Sequence, residues 1–266
     1  MPRFSANLSY LFTELPFLER FGAAARAGFR AVEFTFAYEH RADAIRRACE
    51  QHDLAIVLMN APPGDYNGGE RGLASLPGRE DEYVASIITA LEYAKTLRCP
   101  RVHVMAGVVP SQGDADAVAE RRALHRKTLL VNLQFACTAA AEHGIEITLE
   151  ALNAFDVPDY FYRTQAEVHA VREAVGAPNL KAQMDFYHAQ RSEGSLTQSL
   201  ERWLPHVGHM QIASVPGRHE PDCGEIDYAY LFRRIDELGY TGWVGCEYKP
   251  RTTTEAGLGW RERLVT

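Results

Sequence analysis

Ile145-Glu-Ile-Thr-Leu-Glu150 alternates apolar and polar residues and closes on an acid. Alternation at period two is the pattern of a β-strand with two unlike faces. Three later runs also end on an oxygen-bearing side chain: Leu180-Lys-Ala-Gln-Met-Asp185, Val207-Gly-His-Met-Gln211 and Gly242-Trp-Val-Gly-Cys-Glu247. Parallel barrels carry their chemistry at the C-terminal end of a strand, just before a loop. Taken singly, each of these ends is as readily an ordinary polar terminus. Four consecutive strands with such ends point to one mouth, because a closed barrel aims all four at one place. Glu150, Asp185, Gln211 and Glu247 would then form an oxygen-rich cage of the kind that hard divalent cations such as Mg²⁺ or Mn²⁺ prefer.

The rest of the chain supplies the other strands and the helices between them. Arg3 to Leu8, Arg30 to Thr35, Leu54 to Met59 and Arg101 to Met105 read as strands one to four. Helices are expected from about Glu14 to the stop at Gly28, over Arg41 to His52 and Arg79 to Arg98, and within Asp116 to His143. Four more follow: Thr164 to Val175, around Leu196 to Leu204, Tyr228 to Leu238, and within Thr254 to Leu264. The clearest is Arg79 to Arg98, where Val84, Ile87, Ile88, Leu91, Ala94 and Leu97 recur at three- and four-residue steps. Strict alternation of strand and helix implies parallel strands with right-handed crossovers. The expected fold is α/β, a single (β/α)8 TIM barrel occupying residues 1–266 as one domain; about 250 residues is the usual size. An open doubly wound sheet is the competitor. It loses support because no G-x-G-x-x-G follows a strand and there is no P-loop.

Composition narrows the partners. Lysine and arginine number 28 against 35 aspartates and glutamates, a net charge of −7, which argues against a nucleic-acid surface. A small anionic substrate remains compatible, since a local Arg/Lys cluster suffices. The five cysteines are odd in number and include no C-x-x-C pair, which suits reduced thiols in a cytoplasmic protein. No signal-peptide pattern opens the chain, and no apolar run approaches the roughly 20 residues of a membrane span. Exposed apolar loop residues would support a homo-oligomer.

Periodicity refines the site. Glu146, Thr148 and Glu150 share one face of strand five, and Lys181, Gln183 and Asp185 one face of strand six, so these polar sets would line the barrel. Glu146 and Lys181 form either a buried pair or part of the lower rim. Beyond the strand ends lie Asp156, Arg218, Glu220 and Lys249, with His188 expected in a loop over the mouth. The glycine-rich segment from Asp65 to Gly78 is longer than a common βα connection and holds Glu70 and Arg71 on the same rim. His40, His52, His125, His143 and His169 read as solvated. No Ser-His-Asp or Cys-His elbow is present, which disfavours a covalent nucleophile. A carboxylate cage around one metal suggests proton transfer beside a carbonyl. The metal would act as Lewis acid and template, and a glutamate would remove the carbon-bound proton to give a metal-held enediolate.

Longer stretches carry a resemblance: Arg3-Phe-Ser-Ala-Asn-Leu-Ser9, Ala27-Gly-Phe-Arg-Ala-Val-Glu-Phe34, Gly69-Glu-Arg-Gly72, Leu76-Pro-Gly-Arg-Glu80, Gly208-His-Met-Gln-Ile-Ala213 and Gly245-Cys-Glu-Tyr-Lys-Pro250. Over nearly its whole length the chain resembles the hydroxypyruvate isomerase family of xylose-isomerase-like barrels. His103-Val-Met-Ala-Gly-Val-Val-Pro110, Arg218-His-Glu-Pro-Asp222 and Gly257-Leu-Gly-Trp260 are most similar to its 2-oxo-tetronate isomerase branch. The resemblance implies that Glu150 and Glu247 are at once metal ligands and acid/base groups, that Asp185 and Gln211 complete the site for Mg²⁺, Mn²⁺ or Co²⁺, and that the substrate is a small sugar acid. Arg71, Arg218 and Lys249 are the candidates for its carboxylate, with Glu70, His188 and Asp156 nearby. Related sugar epimerases carry a histidine at the Gln211 position and a longer acid at Asp156, and both departures weaken an epimerase reading. Hydroxypyruvate isomerase is the alternative with the same chemistry. A DNA-repair endonuclease, which wants more histidine ligands and a basic surface, and a non-catalytic sugar-acid-binding barrel are the more distant ones.

Overall fold

The computed structural model describes residues 2–264. Eight parallel strands close in sequence order into a barrel: β1 Arg3–Asn7, β2 Ala31–Phe34, β3 Ala55–Asn60, β4 Arg101–His103, β5 Glu146–Glu150, β6 Leu180–Asp185, β7 Val207–Ile212 and β8 Trp243–Cys246. Pairing of β8 with β1 completes the ring. The expected (β/α)8 barrel is therefore the fold. Helices α1 Phe17–Arg26, α2 Ala42–Gln51, α3 Glu80–Leu97, α4 Ala115–Ala141 and α5 Gln165–Val175 follow β1 to β5 in turn. Both α6 Phe186–Ser192 and α7 Leu196–Trp203 follow β6; α8 Tyr228–Glu237 follows β7, and α9 Thr254–Gly257 and α10 Trp260–Leu264 follow β8.

Two elements differ from expectation. The stretch holding His188 is not a loop but α6, which starts directly off β6. Asp185 caps it, its Oδ1 accepting from the Tyr187 amide at 2.8 Å. Seven residues are too few to show a helical period. The last helix is broken in two at Leu258-Gly259. At the start of α5 Thr164 and Glu167 form a capping box, and Gly176 ends the helix in the left-handed conformation.

Side chains on the outer face of the strands, among them Ile147, Leu149, Met184, Met210 and Val244, are buried against the helices. Trp260 of α10 is fully buried, packs edge-on to Phe4 at 5.0 Å and donates its indole N–H to the Tyr248 hydroxyl at 3.0 Å. Each such buried apolar side chain contributes about 1.5–3 kcal/mol. The inside of the barrel is unusual, because Ser5, Asn7, Glu33, Thr148, Gln183, His209 and Gln211 are all buried there or at its mouth. A barrel interior built only for stability carries layers of branched apolar side chains. At the opposite end Glu146 pairs with Arg101 at 2.8 Å rather than with Lys181.

Two of the five histidines expected in solvent are buried. His169 is stacked on Trp203 at 4.0 Å between ring centres, and burial pushes its pKa down to about 3. His125 lies under the loop at Ser75. Tyr66 and Phe155 are exposed on loops, but Ile88 of α3 and Leu124, Val131 and Phe135 of α4 are exposed on helices. All five cysteines are free thiols and four are buried. Among the described residues no helix is long and apolar enough to cross a membrane.

Candidate active site

Strand ends and the loops that follow them enclose a cavity of about 370 Å³ at the C-terminal mouth. Seven of the eleven side chains singled out at the strand ends and in the loops beyond them line it: Glu150, Glu247, Arg71, His188, Arg218, Asp156 and Lys249; Glu220 instead pairs with Arg251 at 3.0 Å. Asp185 and Gln211 are buried and do not line it: an Asp185 oxygen lies within 4.8 Å of ligand atoms of Glu150 and His188, while the Gln211 amide hydrogen-bonds to Glu33 and Gln183, and Glu70 faces elsewhere. Register explains the convergence. Glu150 is level with Gln183, Asp185 with Gln211, and Gln211 with Gly245, two residues before Glu247. Side chains at matched positions of parallel neighbours point to the same face, here the inside.

Three buried carboxylates share this mouth. Burial, reinforced by the charges of Glu247 and Asp185, pushes the Glu150 pKa well above the usual carboxylate range. Glu247 is pushed up to about 8, chiefly by burial and against the pull of Arg218. Asp185 is pushed up to about 6 by burial, again opposed by Arg218. Glu150 Oε1 and Asp185 Oδ2 are buried without a hydrogen-bond partner. With one nitrogen of His188 they form a group of possible ligand atoms all within 4.8 Å of one another. Unpartnered buried carboxylate oxygens in mutual repulsion are the donor set a hard cation satisfies. The residues therefore fit a divalent metal.

Its hydrogen bonds set His188 apart from the two carboxylates. Its Nδ1 faces the backbone N–H of Asn153 at 3.1 Å and that residue's side chain at 2.7 Å, so Nδ1 accepts. Burial holds the ring neutral, well below its ordinary pKa. The proton then sits on Nε2, which lies 3.8 Å from Asp185 Oδ2 and is a donor rather than a lone pair for a metal.

Arg218 is wedged between two aromatic rings, Tyr187 at 4.8 Å and Tyr10 at 5.1 Å. It donates to Glu247 Oε2 at 2.6 Å and lies 3.7 Å from Asp185 Oδ2. Asn7 donates to the other oxygen of Glu247 at 3.1 Å. The plane of the Glu247 carboxylate is thus held from both sides. Asp156 accepts from the Tyr187 hydroxyl at 2.8 Å and pairs with Arg191 at 3.1 Å.

The loop over residues 61–79 carries Arg71 to the cavity. The guanidinium donates to the carbonyls of Tyr66 and Glu70 and covers the Tyr66 ring at 4.1 Å. Among the described residues it has no carboxylate partner, and neither has Lys249. Glu70, expected at the substrate, is turned away. It pairs with Arg79 at 2.6 Å and caps the Asp65 amide at 2.6 Å, bracing the loop. Gly72 pins the loop to the barrel: its φ is +114°, and an added Cβ would stand 2.1 Å from the Met105 carbonyl oxygen.

Several lining residues escaped the sequence. His103 ends β4 and Asn60 ends β3, so the strand-end argument applies to them as much as to Glu150. His103 lies 3.8 Å from Glu150 Oε2, and burial pushes its pKa down to about 3. Glu33 and His209, paired at 2.8 Å and fully buried, gave no local signal. Burial raises the Glu33 pKa, but the His209 ring and hydrogen bonds from His209, Ser5 and Gln211 outweigh it and hold the carboxyl below its usual range.

A closed parallel barrel with a carboxylate-rich C-terminal mouth defines the class, and comparison with known proteins narrows it. A family model described as "Xylose isomerase-like TIM barrel" matches residues 21–264. The 2-oxo-tetronate isomerase of Cupriavidus necator is 51% identical over 260 residues, 98% of this chain and 97% of that protein. Hydroxypyruvate isomerase of Escherichia coli is 42% identical over 98% of this chain and 99% of its own. A crystal structure of a Brucella melitensis protein described as AP endonuclease, family 2, superposes with a TM-score of 0.94 at 46% identity, over 99% of both chains. The chain belongs to the xylose isomerase-like TIM barrel family and, within it, to the hydroxypyruvate isomerase group.

Proposed function

We propose that this protein is a sugar-acid isomerase that moves a carbonyl between adjacent carbons, with 2-oxo-tetronate as substrate and 3-oxo-tetronate as product. The observation that carries the reading is a pair of buried glutamates, Glu150 and Glu247, lining one small polar cavity beside free cationic side chains. Glu150, Asp185, Gln211 and Glu247 are the residues that would hold a Mg²⁺, Mn²⁺ or Co²⁺ ion. When bound, such an ion supplies Lewis-acid polarisation of the substrate carbonyl and offsets the crowded negative charge.

Glu247 is the proposed base. Burial raises the Glu247 pKa in the metal-free site, and a cation in the cage would draw it back down toward neutrality, where general bases work best. Asn7 and Arg218 hold its two oxygens, so the proton is taken from a fixed direction. Removing the proton from the hydroxyl-bearing carbon beside the carbonyl gives an enediolate; delivering it to the former carbonyl carbon, while the hydroxyl proton passes from the one oxygen to the other, completes the isomerisation. Glu150 is the second carboxylate that the two-glutamate reading requires. His188 would donate Nε2–H to a substrate oxygen. Arg71 is favoured for the substrate carboxylate because its charge is unspent, whereas Arg218 is engaged by Glu247. Arginine binds a carboxylate through two parallel hydrogen bonds. Lys249 is the second cation on the rim.

Hydroxypyruvate, the three-carbon analogue, is the competing substrate. An endonuclease reading draws less support from a chain of net charge −7 whose proposed cage is three carboxylates and an amide. The test is turnover of each acid with added Mn²⁺ in deuterated water. Higher kcat/KM on 2-oxo-tetronate, with deuterium entering the product at the migrated position, is expected. Absence of turnover on both acids would overturn the proposal.

A further inference from the structure

Glu33 sits in the middle of the barrel, with no exposure to solvent, beneath the proposed cage. Its carboxylate accepts from Ser5 Oγ at 2.6 Å, from Gln211 Nε2 at 2.8 Å and from Asn7 Nδ2 at 3.3 Å, and meets His209 Nε2 at 2.8 Å. Room for it is cut into the opposing wall. A Cβ on Gly245 of β8 would stand 2.2 Å from Glu33 Oε1, so any side chain there would evict the carboxylate. An interior of ordinary apolar residues would fill this space without a buried charge to solvate.

The donors explain what the charge does. A carboxylate only accepts, so the Gln211 amide must turn its nitrogen toward Glu33 and its oxygen away. That oxygen accepts from Gln183 Nε2 at 2.6 Å, and Gln183 in turn accepts from the Thr148 hydroxyl at 3.2 Å. Asn7 is fixed in the same way. Its Oδ1 accepts from the Ser9 amide at 3.0 Å, and its Nδ2 is shared between Glu33 and Glu247 Oε1. The Gln211 and Gln183 amides are therefore set in one of their two orientations by Glu33, and Asn7 by Glu33 together with the Ser9 amide and Glu247.

We propose that Glu33 is a positioning residue that fixes the Gln211 amide with its oxygen turned away from Glu33, leaving for the cage the lone pair that Gln183 does not use, and, through Asn7, sets the direction of the Glu247 carboxylate. The inference rests on the reading of Gln211 and Glu247 as cage residues. Glu33→Gln keeps the shape of the side chain but puts an NH₂ where Gln211 needs an acceptor. Gln211 must then flip, and its nitrogen meets the nitrogen of Gln183.

The experiment is Mn²⁺ titration by calorimetry on the full chain, with circular dichroism to establish folding, for the wild type and four variants. Glu33→Gln should bind Mn²⁺ about 10- to 100-fold more weakly, the loss typical of groups that orient metal ligands. Gln211→Glu alone should also bind weakly, because two carboxylates then face each other. The double variant Glu33→Gln/Gln211→Glu restores a donor facing an acceptor at both ends of residue 211, and should recover affinity to within about tenfold of wild type. That recovery is not expected of a residue that merely fills space, and it supplies the test should Glu33→Gln alone not fold. Gln211→Ala reports on the underlying reading. If it loses Mn²⁺ while Glu33→Gln binds as wild type, or while the double variant folds but fails to recover, positioning by Glu33 is overturned and the cage stands. If Gln211→Ala binds Mn²⁺ as wild type does, the cage reading falls and the proposal falls with it.

Discussion

Replacing Glu247 with glutamine should stabilise the metal-free protein while disabling it. In the folded chain this carboxyl holds its proton up to about pH 8, against an ordinary value of 4.5. Above pH 4.5 the unfolded chain has released the proton while the folded chain keeps it, so folding takes up a proton. Stability is then fully present below about pH 4.5 and declines as pH rises toward 8, where it levels off. Asp185, raised from 3.8 to about 6, adds a decline of the same sign at lower pH. At pH 7 the interval above the ordinary glutamate value is about 2.5 pH units, which corresponds to about 3 kcal/mol. Glutamine removes this term but also weakens the contact with Arg218 at 2.6 Å, which returns part of it. A net gain of about 1–3 kcal/mol is expected, or roughly 2–12 °C in Tm for a chain of this size. The assay is thermal melting from pH 5 to pH 8 after chelation, with and without saturating Mn²⁺. Wild-type Tm should fall across this range, the Glu247→Gln curve should be flatter and higher, and Mn²⁺ should raise the wild type more than the variant. Activity should drop by the roughly 10²- to 10⁴-fold of a lost general base. A chelated variant that melts at or below wild type at pH 7 would refute the electrostatic argument. Full activity at saturating Mn²⁺ would refute the assignment of the base.

Arg71→Ala should raise KM for acid substrates with little change in kcat, measured by steady-state kinetics; unchanged kinetics would hand the carboxylate to Lys249 or Arg218. Glu150→Gln should lose activity at limiting Mn²⁺ and recover part of it as Mn²⁺ is raised, if its main part is to hold the ion; full activity in this variant under saturating metal would sink the two-glutamate mechanism. Gly72→Ala should cost about 1–3 kcal/mol through a strained backbone, and the clash with the Met105 carbonyl should displace the loop carrying Arg71. Its signature is a lower Tm and a raised KM with an unchanged circular dichroism spectrum.

The sequence by itself determined the barrel and most of its mouth. Strand and helix periods are local, and so is the rule that an oxygen-bearing side chain closing a strand points to the mouth, which singles out Glu150, Asp185, Gln211 and Glu247 as candidates without a structure. The same rule, carried back to the earlier strands, reaches Asn60 and His103, whose side chains line the same cavity. What it could not reach are properties of pairs far apart in the chain. Glu33 sits inside an apolar run and looks like a charge on a strand face until the closed ring brings Gln211, 178 residues away, to 2.8 Å. Arg218 and Glu70 were both named as substrate contacts from their place in loops. Only the tertiary structure shows that Arg218 is taken by Glu247 and that Glu70 turns from the cavity to brace Arg79. The helix carrying His188 was missed because its decisive interaction is a cap from Asp185, an acid whose other oxygen is left for the site. Local pattern fixes which residues point inward, but which of them neutralise one another depends on distances that exist only once the barrel has closed.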